Sequence, residues 1–483
     1  MERLIQIGTV KRKTAADVTA TRLGIGFEKL DRAVFDPEKA YDKIAAIGVK
    51  WTRIQSGWAR TEKEKGVYDF AWLDDIVDNL LRRGLTPWMV LCYGNPVYSP
   101  YAAKYFGSVG CPPITTREEM DAWIRYVEAT VAHFRGRIPY YEIWNEPDGG
   151  YSWKHPHAED EPEPGPNATE YGNFAIETAD AIHRADPDAK AIGLVVCSFK
   201  KLSYINEALA TGLADHIDAA SFHAYVSDDT DRPTYIALLR KLLDSYRPGI
   251  ELIQTETGGQ SRSDGAGAMH GFAWTPEKQM KHQLRNLLHD LASDITFTSF
   301  FTSMDMIEAL RGLVADKKSY LDYGYFGVLS ADFDENGFST GEYTPKPAYY
   351  SLCTLASIFT SDAKPDDTTV YARKVLPSRR LNGYDCSDKT FCSYAFSKLN
   401  GSKAIAYWNA VPLLTSTYQG TVSFEIYGEK NDLRLIDLSN GAVYRLPDEM
   451  VEEKGNGELN LKNLPLTDTP LLLTFGDFAE ESI

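Results

Sequence analysis

Along the first two-thirds of the chain, short apolar runs alternate with longer stretches in which apolar residues recur every three or four positions. The runs are RLGIGFE (22–28), VKWTRIQ (49–55), TPWMVLCY (86–93), YYEIW (140–144), AIGLVVCS (191–198), DAASFHAY (218–225), ELIQTE (251–256) and ITFTSFFT (295–302). They are rich in β-branched and aromatic residues, and several are apolar nearly throughout, as strands covered on both faces are. The stretches between them predict helices over 37–48, 72–84, 116–136, 169–185, 202–212, 233–246 and 276–292, and a last one through TPKPAYYSLCTLASIF. Local signals agree. Thr116 and Glu119 have capping-box spacing, Thr275-Pro276 suits a helix start, and Arg82, Arg83 and Gly84 suit a helix end. Eight strands in strict alternation with eight helices predict a closed (β/α)8 barrel rather than an open sheet.

After about residue 360 the period changes to two. SKAIAYWNAV, GTVSFEIYGE, DLRLIDLSNGAVYRL and GELNLKNL are separated by turn residues with no helical stretch between them, which predicts a β-sandwich. RLIQIGTV (3–10) is a strand too early for the barrel and is expected to join that sandwich. The expected organisation is therefore 1–14 as the N-terminal strand, 15–360 as the barrel and 361–483 as the β-sandwich.

Composition narrows the function classes. The 483-residue chain carries 68 acidic and 51 basic residues, a formal charge of −17. Without a basic stripe, that charge argues against nucleic acid and anionic membranes as partners. No apolar run reaches the ~18 residues of a membrane span. The first residues lack the apolar core of a signal peptide, which points to the cytoplasm. The six cysteines show no zinc-type pairing and read as reduced thiols, although Cys386 and Cys392 are spaced so that they could pair. His155, His157, Glu159, Asp160 and Glu161 match no standard metal spacing and read as a solvated loop. No cofactor is called for.

In such barrels the chemistry sits where strands end at the C-terminal face. The residues that stand there are Glu28, Arg53, Asn95, Asn145, Glu146, His223, Tyr225 and Glu256. Glu146 and Glu256 end strands three apart, and two carboxyl groups flanking one bond are what glycoside cleavage needs. Alternation along YYEIWNE places Glu142 on the face of Trp144 and Glu146. Glu142 is expected to be a buried structural charge paired with Arg53. Trp153, just past Glu146, is a candidate sugar platform. Lys154, Lys200 and Arg262 are candidate rim cations for a uronate.

IWNEP at strand four together with QTETG at strand seven resembles clan A of the glycoside hydrolases, retaining enzymes on this barrel. GIGFEKLD, YGNPVYS and the trailing β-domain resemble most closely family 39, which includes β-xylosidases and α-L-iduronidases. The resemblance implies Glu146 as acid/base, Glu256 as nucleophile and Asn145 as the ligand of the sugar 2-hydroxyl. It further implies Arg53 as support for the nucleophile, and His223 and Tyr225 as contacts of substrate or Glu256. Strand eight ends FFTSMD, without the tryptophan many clan members place there. The implied activity is exo-cleavage of a β-glycoside, of the xylosidase, glucosidase or galactosidase kind, with long loops at 96–115, 150–170 and 258–275 closing a pocket. The alternatives are a non-catalytic carbohydrate-binding barrel and a metal-dependent lyase or isomerase.

Overall fold

The computed structural model describes residues 4–157, 160, 162, 164–375, 380–381, 384–385, 391–415, 420–427 and 432–482. Eight strands close into a barrel. They are β1 (Leu23–Gly26), β2 (Trp51–Gln55), β3 (Thr86–Leu91), β4 (Tyr140–Ile143), β5 (Lys190–Val196), β6 (Ala219–His223), β7 (Glu251–Thr257) and β8 (Thr298–Phe300). Every one coincides with a predicted run. β8 pairs in parallel with both β7 and β1, which completes the ring.

The inside of the ring is built in layers, because alternate residues of each strand point inward. At the entry end Trp51, Trp88, Tyr140, Ile192, Ala219, Ile253 and Phe297 form one apolar cluster, with Trp51 stacked on Phe297 at 4.4 Å. Two residues further along four of these strands stand Arg53, Glu142, Ser221 and Thr255. The layer above the apolar plug is therefore polar, and the site rests on it.

Between β8 and the helix Pro347–Ile358, the chain makes the strand pairs Met306–Ile307 with Tyr323–Gly324 and Leu329–Phe333 with Ser339–Pro345. Nothing in the hydrophobic pattern indicated them. An eight-stranded and a four-stranded antiparallel sheet follow, packed through Ile405, Tyr407, Phe424 and Leu461. The first strand, Ile5–Val10, pairs antiparallel with Ala442–Arg445 and Glu481–Ser482.

The helix Pro276–Leu291 is buried at every position from Gln279 onward. Lys281 bonds Asp468 at 2.7 Å, and Arg285 donates to the Val411 carbonyl at 2.8 Å. Paired polar groups thus join the barrel to the sheets. No described helix is long and apolar enough to cross a membrane. Cys92, Cys111 and Cys353 are buried thiols, and Cys197 and Cys392 are partly buried ones. Cys386 lies outside the described residues, as do Glu159 and Glu161.

Candidate active site

A cavity at the C-terminal mouth of the barrel is lined by Glu28, Arg53, Asn145, Glu146, Tyr225 and Glu256 from the strand ends. β6 and β7 lie side by side, with His223 opposite Glu256. One oxygen each of Glu146 and Glu256 and a ring nitrogen of His223 all lie within 4.8 Å of one another.

Arg53 organises the floor. Its Nε and Nη2 donate to Glu142 at 3.0 and 3.1 Å, its Nη2 to Asn145 Oδ1 at 2.8 Å, and its Nη1 to Glu256 Oε2 at 2.5 Å. Glu142 also accepts from Trp88 at 2.9 Å, Thr255 at 2.8 Å and Ser221 at 3.3 Å. Burial works to raise its carboxyl, but Arg53 and His223 hold it down to about 2. Glu142 is thus a charged strut, saturated with donors and closed to a ligand.

Removing its cation strands a charge in the core. Arg53→Leu is expected to cost about 3–5 kcal/mol of stability. Adding Glu142→Gln to it should recover part of the loss in chemical denaturation. Equal stability of Arg53→Leu and wild type would contradict this account.

The two strand-end glutamates differ in proton affinity. Burial, together with the charges of Glu256 and Asp148, pushes Glu146 up, while His223 at 2.8 Å pulls against them. For Glu256 the burial that would raise it is outweighed by His223, Arg53, the Tyr225 hydroxyl and Lys29, which hold it below the ordinary range. The Tyr225 hydroxyl donates to Glu256 Oε1 at 2.5 Å. Such a split between neighbouring carboxyls separates an acid from an anion. His223 is fully buried, and three carboxylates overcome that burial to raise it to about 10.

The backbone explains how Asn145 and Glu146 both reach the cavity. Trp144 and Glu146 take left-handed φ angles of 70° and 51°, conformations that non-glycine residues adopt at a cost. They break the alternation expected along YYEIWNE. Trp144 therefore does not share the inner face. It packs outward against Trp123 and Phe174 at 5.9 and 5.8 Å.

Three other expected ligand residues are placed away from the cavity lining. Trp153 is completely buried, edge-on to Trp144, Tyr171 and Phe174, with its Nε1 donating to Glu170 at 2.8 Å. Its ring is shut off from the surface, so it offers no sugar platform. Asn95 is buried and bonds the Glu62 carbonyl at 2.9 Å, fastening the loop after β3. His223 lies outside the lining but pairs with Glu146 at 2.8 Å and with Glu256 at 3.8 Å, the second being a contact expected of it.

The rim cations change meaning as well. Lys154 is buried and bonds the carbonyls of Val109 and Tyr151. Arg262 pairs with Asp264, and Lys200 lies over the Tyr235 ring.

Several lining residues went unread in the sequence: Lys29, Arg32, Phe301, Glu308 and Phe326. Phe301 follows β8 directly and meets Phe326 edge-on at 5.3 Å, so a phenylalanine stands where a strand-eight tryptophan was missed. Lys29 pairs with Glu308 at 3.1 Å. A larger cavity of about 530 Å³ lies in the β-sandwich around Ser402, Ile405 and Phe475, with neither of the paired glutamates in its walls.

Glu146, His223 and Glu256 are grouped closely enough to ligate a metal ion. The electrostatics oppose it. Arg53 already occupies Glu256 Oε2, and a protonated His223 has no lone pair to give at its bonded nitrogen.

The fold can now be set beside known proteins. It superposes on a family 39 glycoside hydrolase from Bacteroides cellulosilyticus WH2 with a TM-score of 0.64, at 18% identity over 94% of this chain and 80% of that one. The chain has the family 39 glycoside hydrolase fold. A monomeric beta-xylosidase from Caulobacter crescentus CB15 matches at 16% identity over 97% of both chains, with a TM-score of 0.57. A family 30 endoxylanase from Clostridium papyrosolvens C71 matches at 13% over 97% of both, with a TM-score of 0.55.

The model of glycoside hydrolase family 44 matches residues 108–245, which contain Glu146 and His223. A beta-galactosidase model matches residues 27–97, which contain Glu28 and Arg53. No curated protein matches the chain significantly. The likeness to family 39 first seen in GIGFEKLD, YGNPVYS and the trailing β-domain thus extends over the barrel and the β-sheets alike.

Proposed function

We propose that the protein is a retaining β-glycoside hydrolase in which Glu256 attacks the anomeric carbon and Glu146 serves as acid and then base. One observation carries this reading: an oxygen of Glu146 and an oxygen of Glu256 lie within 4.8 Å of each other. Retention uses carboxyl groups about 5–5.5 Å apart, whereas inversion leaves room for a water at roughly 6.5–9.5 Å.

In the first step Glu256 forms an ester to the sugar as the glycosidic bond breaks, and Glu146 gives its proton to the leaving oxygen. In the second step Glu146 takes a proton from water, the water oxygen bonds the anomeric carbon, and Glu256 leaves as carboxylate. Arg53 and Tyr225 hold the nucleophile's two oxygens, so it reacts without first reorganising. Asn145 gives its oxygen to Arg53, which leaves the amide nitrogen for a sugar hydroxyl.

The free space of about 60 Å³ is well below the ~300 Å³ of an open ligand cleft. That supports a pocket for one terminal sugar, hence exo action with loop movement on entry. The rim lysines and arginine are engaged elsewhere, and the lining cations Lys29, Arg32 and Arg53 are each already paired with an acid, which favours a neutral sugar of the xylose, glucose or galactose kind over a uronate.

A panel of 2-deoxy-2-fluoro glycosides tests both sugar and residue. One member should inactivate the protein with time, and peptide mapping should find the label on Glu256. A label on another residue would refute the assignment.

A further inference from the structure

Glu28 ends β1 beside the proposed nucleophile, and its surroundings differ from those of every other carboxyl in the site. It is 2% exposed yet lines the cavity. Thr302 Oγ1 lies 3.0 Å from its Oε2. Its Oε1 stands 3.6 Å from Arg53 Nη1, beyond hydrogen-bond reach, and has no hydrogen-bond partner among the described residues. Glu142, on the same guanidinium, is saturated, and Glu256 is held at both oxygens. Glu308 has Lys29. Glu28 alone among them keeps an unmet buried oxygen, a state that costs free energy unless something fills it.

The chain is shaped to hold it there. A Cβ at Gly26 would stand 2.2 Å from Glu28 Oε2, so the carboxyl folds back over a residue that must lack a side chain. Arg53 from β2, Glu256 from β7 and Thr302 after β8 face it. Burial and the charge of Glu256, set against Arg53, raise its carboxyl to about 7. Near neutrality it therefore takes up a proton. A neutral acid beside the nucleophile can both donate and accept, as a sugar hydroxyl does, without adding a second anion.

Building on the glycosidase reading, we infer that Glu28 binds substrate directly, its Oε1 forming a hydrogen bond with one hydroxyl of the sugar seated against Glu256. It is a specificity-determining residue and takes no part in bond making.

The test measures kcat/KM for wild type, Glu28→Gln and Glu28→Ala on the preferred aryl glycoside and on each of its single-deoxy analogues. On the parent, Glu28→Ala should lose about 10–100-fold. Glu28→Gln, whose amide still bonds a hydroxyl in the same space, should lose no more than about 5-fold. On one deoxy analogue, wild type and Glu28→Ala should agree within about 3-fold, because the lost partner is already gone. An equal loss on the parent and on every analogue would overturn the inference and make Glu28 a structural filler, as would a Glu28→Gln variant as impaired as Glu28→Ala. Failure of the wild type to cleave any glycoside is a different outcome, which removes the glycosidase reading and this inference together.

Discussion

Replacing Glu256 by Ala is expected to lower kcat by at least about 10⁴-fold on every glycoside the protein cleaves, including those with good leaving groups. The size of the effect follows from its position. The carboxylate is anchored by Arg53 at 2.5 Å and by Tyr225 at 2.5 Å, and no other ionised group has its freedom to attack. Glu142 is enclosed by five donor contacts, and Glu28, raised to about 7, is only partly ionised near neutrality and lies behind the nucleophile's own contacts with Arg53. Water entering the space left by Ala would lack a covalent route, and the remaining rate would reflect binding and the acid alone. The alanine variant should still fold, since losing one of the anions around Arg53 lessens repulsion as well as attraction. Its circular dichroism and thermal midpoint should stay close to wild type while turnover vanishes. Steady-state kinetics with a dinitrophenyl glycoside checks this, and substantial activity in the variant would rule out the double-displacement mechanism.

Much of this arrangement could be read from the chain because barrel strands are covered on both faces. They show as bare apolar runs bounded by Gly, Pro and charged residues, and residues such as Glu146 and Glu256 stand out at their ends. The charged core was readable for a related reason: Glu142 inside an apolar run demands a cation, and Arg53 was the strand residue able to supply it.

The unread parts have physical causes. Trp153 looked like a platform because it sits in the loop just past Glu146. Only the packing of Trp144, Tyr171 and Phe174 around it shows that the loop carries its own core. The split between Trp144 and Asn145 rests on two left-handed residues, and local sequence seldom announces a left-handed Trp or Glu. Glu308 directly follows the strand Met306–Ile307, and Phe326 lies in the link between Tyr323–Gly324 and Leu329–Phe333, segments too short for periodicity to show. Gln279, Lys281, His282, Gln283 and Arg285 would suit a solvent-facing helix, yet all are buried, Lys281 and Arg285 against the sheets and Gln279 and His282 against barrel loops. Such paired polar interfaces are invisible until their partners, here Asp468 and the carbonyls around Val411, are in place.

Glu146→Ala should separate substrates by leaving group. For a sugar or alkyl leaving group, which needs the proton, kcat/KM should fall by about 10²–10⁴-fold. For dinitrophenolate, which departs unaided, kcat/KM should stay within about 10-fold of wild type. The second step should then become slow, because no base remains to take the proton from water, and with the dinitrophenyl substrate, whose first step stays fast, glycosyl-enzyme should accumulate as a burst.

The pH profile gives the same residue a second signature. The proposed mechanism needs Glu256 ionised and Glu146 protonated in the wild type. Glu256 is held below the ordinary range and Glu146 above it, so a window opens between them. As pH rises through the pKa of Glu146, the proton is lost and kcat/KM falls. As pH drops through that of Glu256, the nucleophile is lost and kcat/KM falls again. Glu146→Ala removes only the alkaline fall that Glu146 causes, so with the dinitrophenyl substrate the variant's kcat/KM should decline less at high pH than wild type's does with a sugar leaving group. His223 sharpens the expectation, since its contact at 2.8 Å opposes the burial that raises Glu146. The acid thus keeps its proton before the first step. Once Glu256 is esterified and its charge gone, the pull of His223 is less opposed, and Glu146 gives up the proton readily enough to act as base. An alkaline limb unchanged in Glu146→Ala, with equal losses for good and poor leaving groups, would move the acid/base role to another residue.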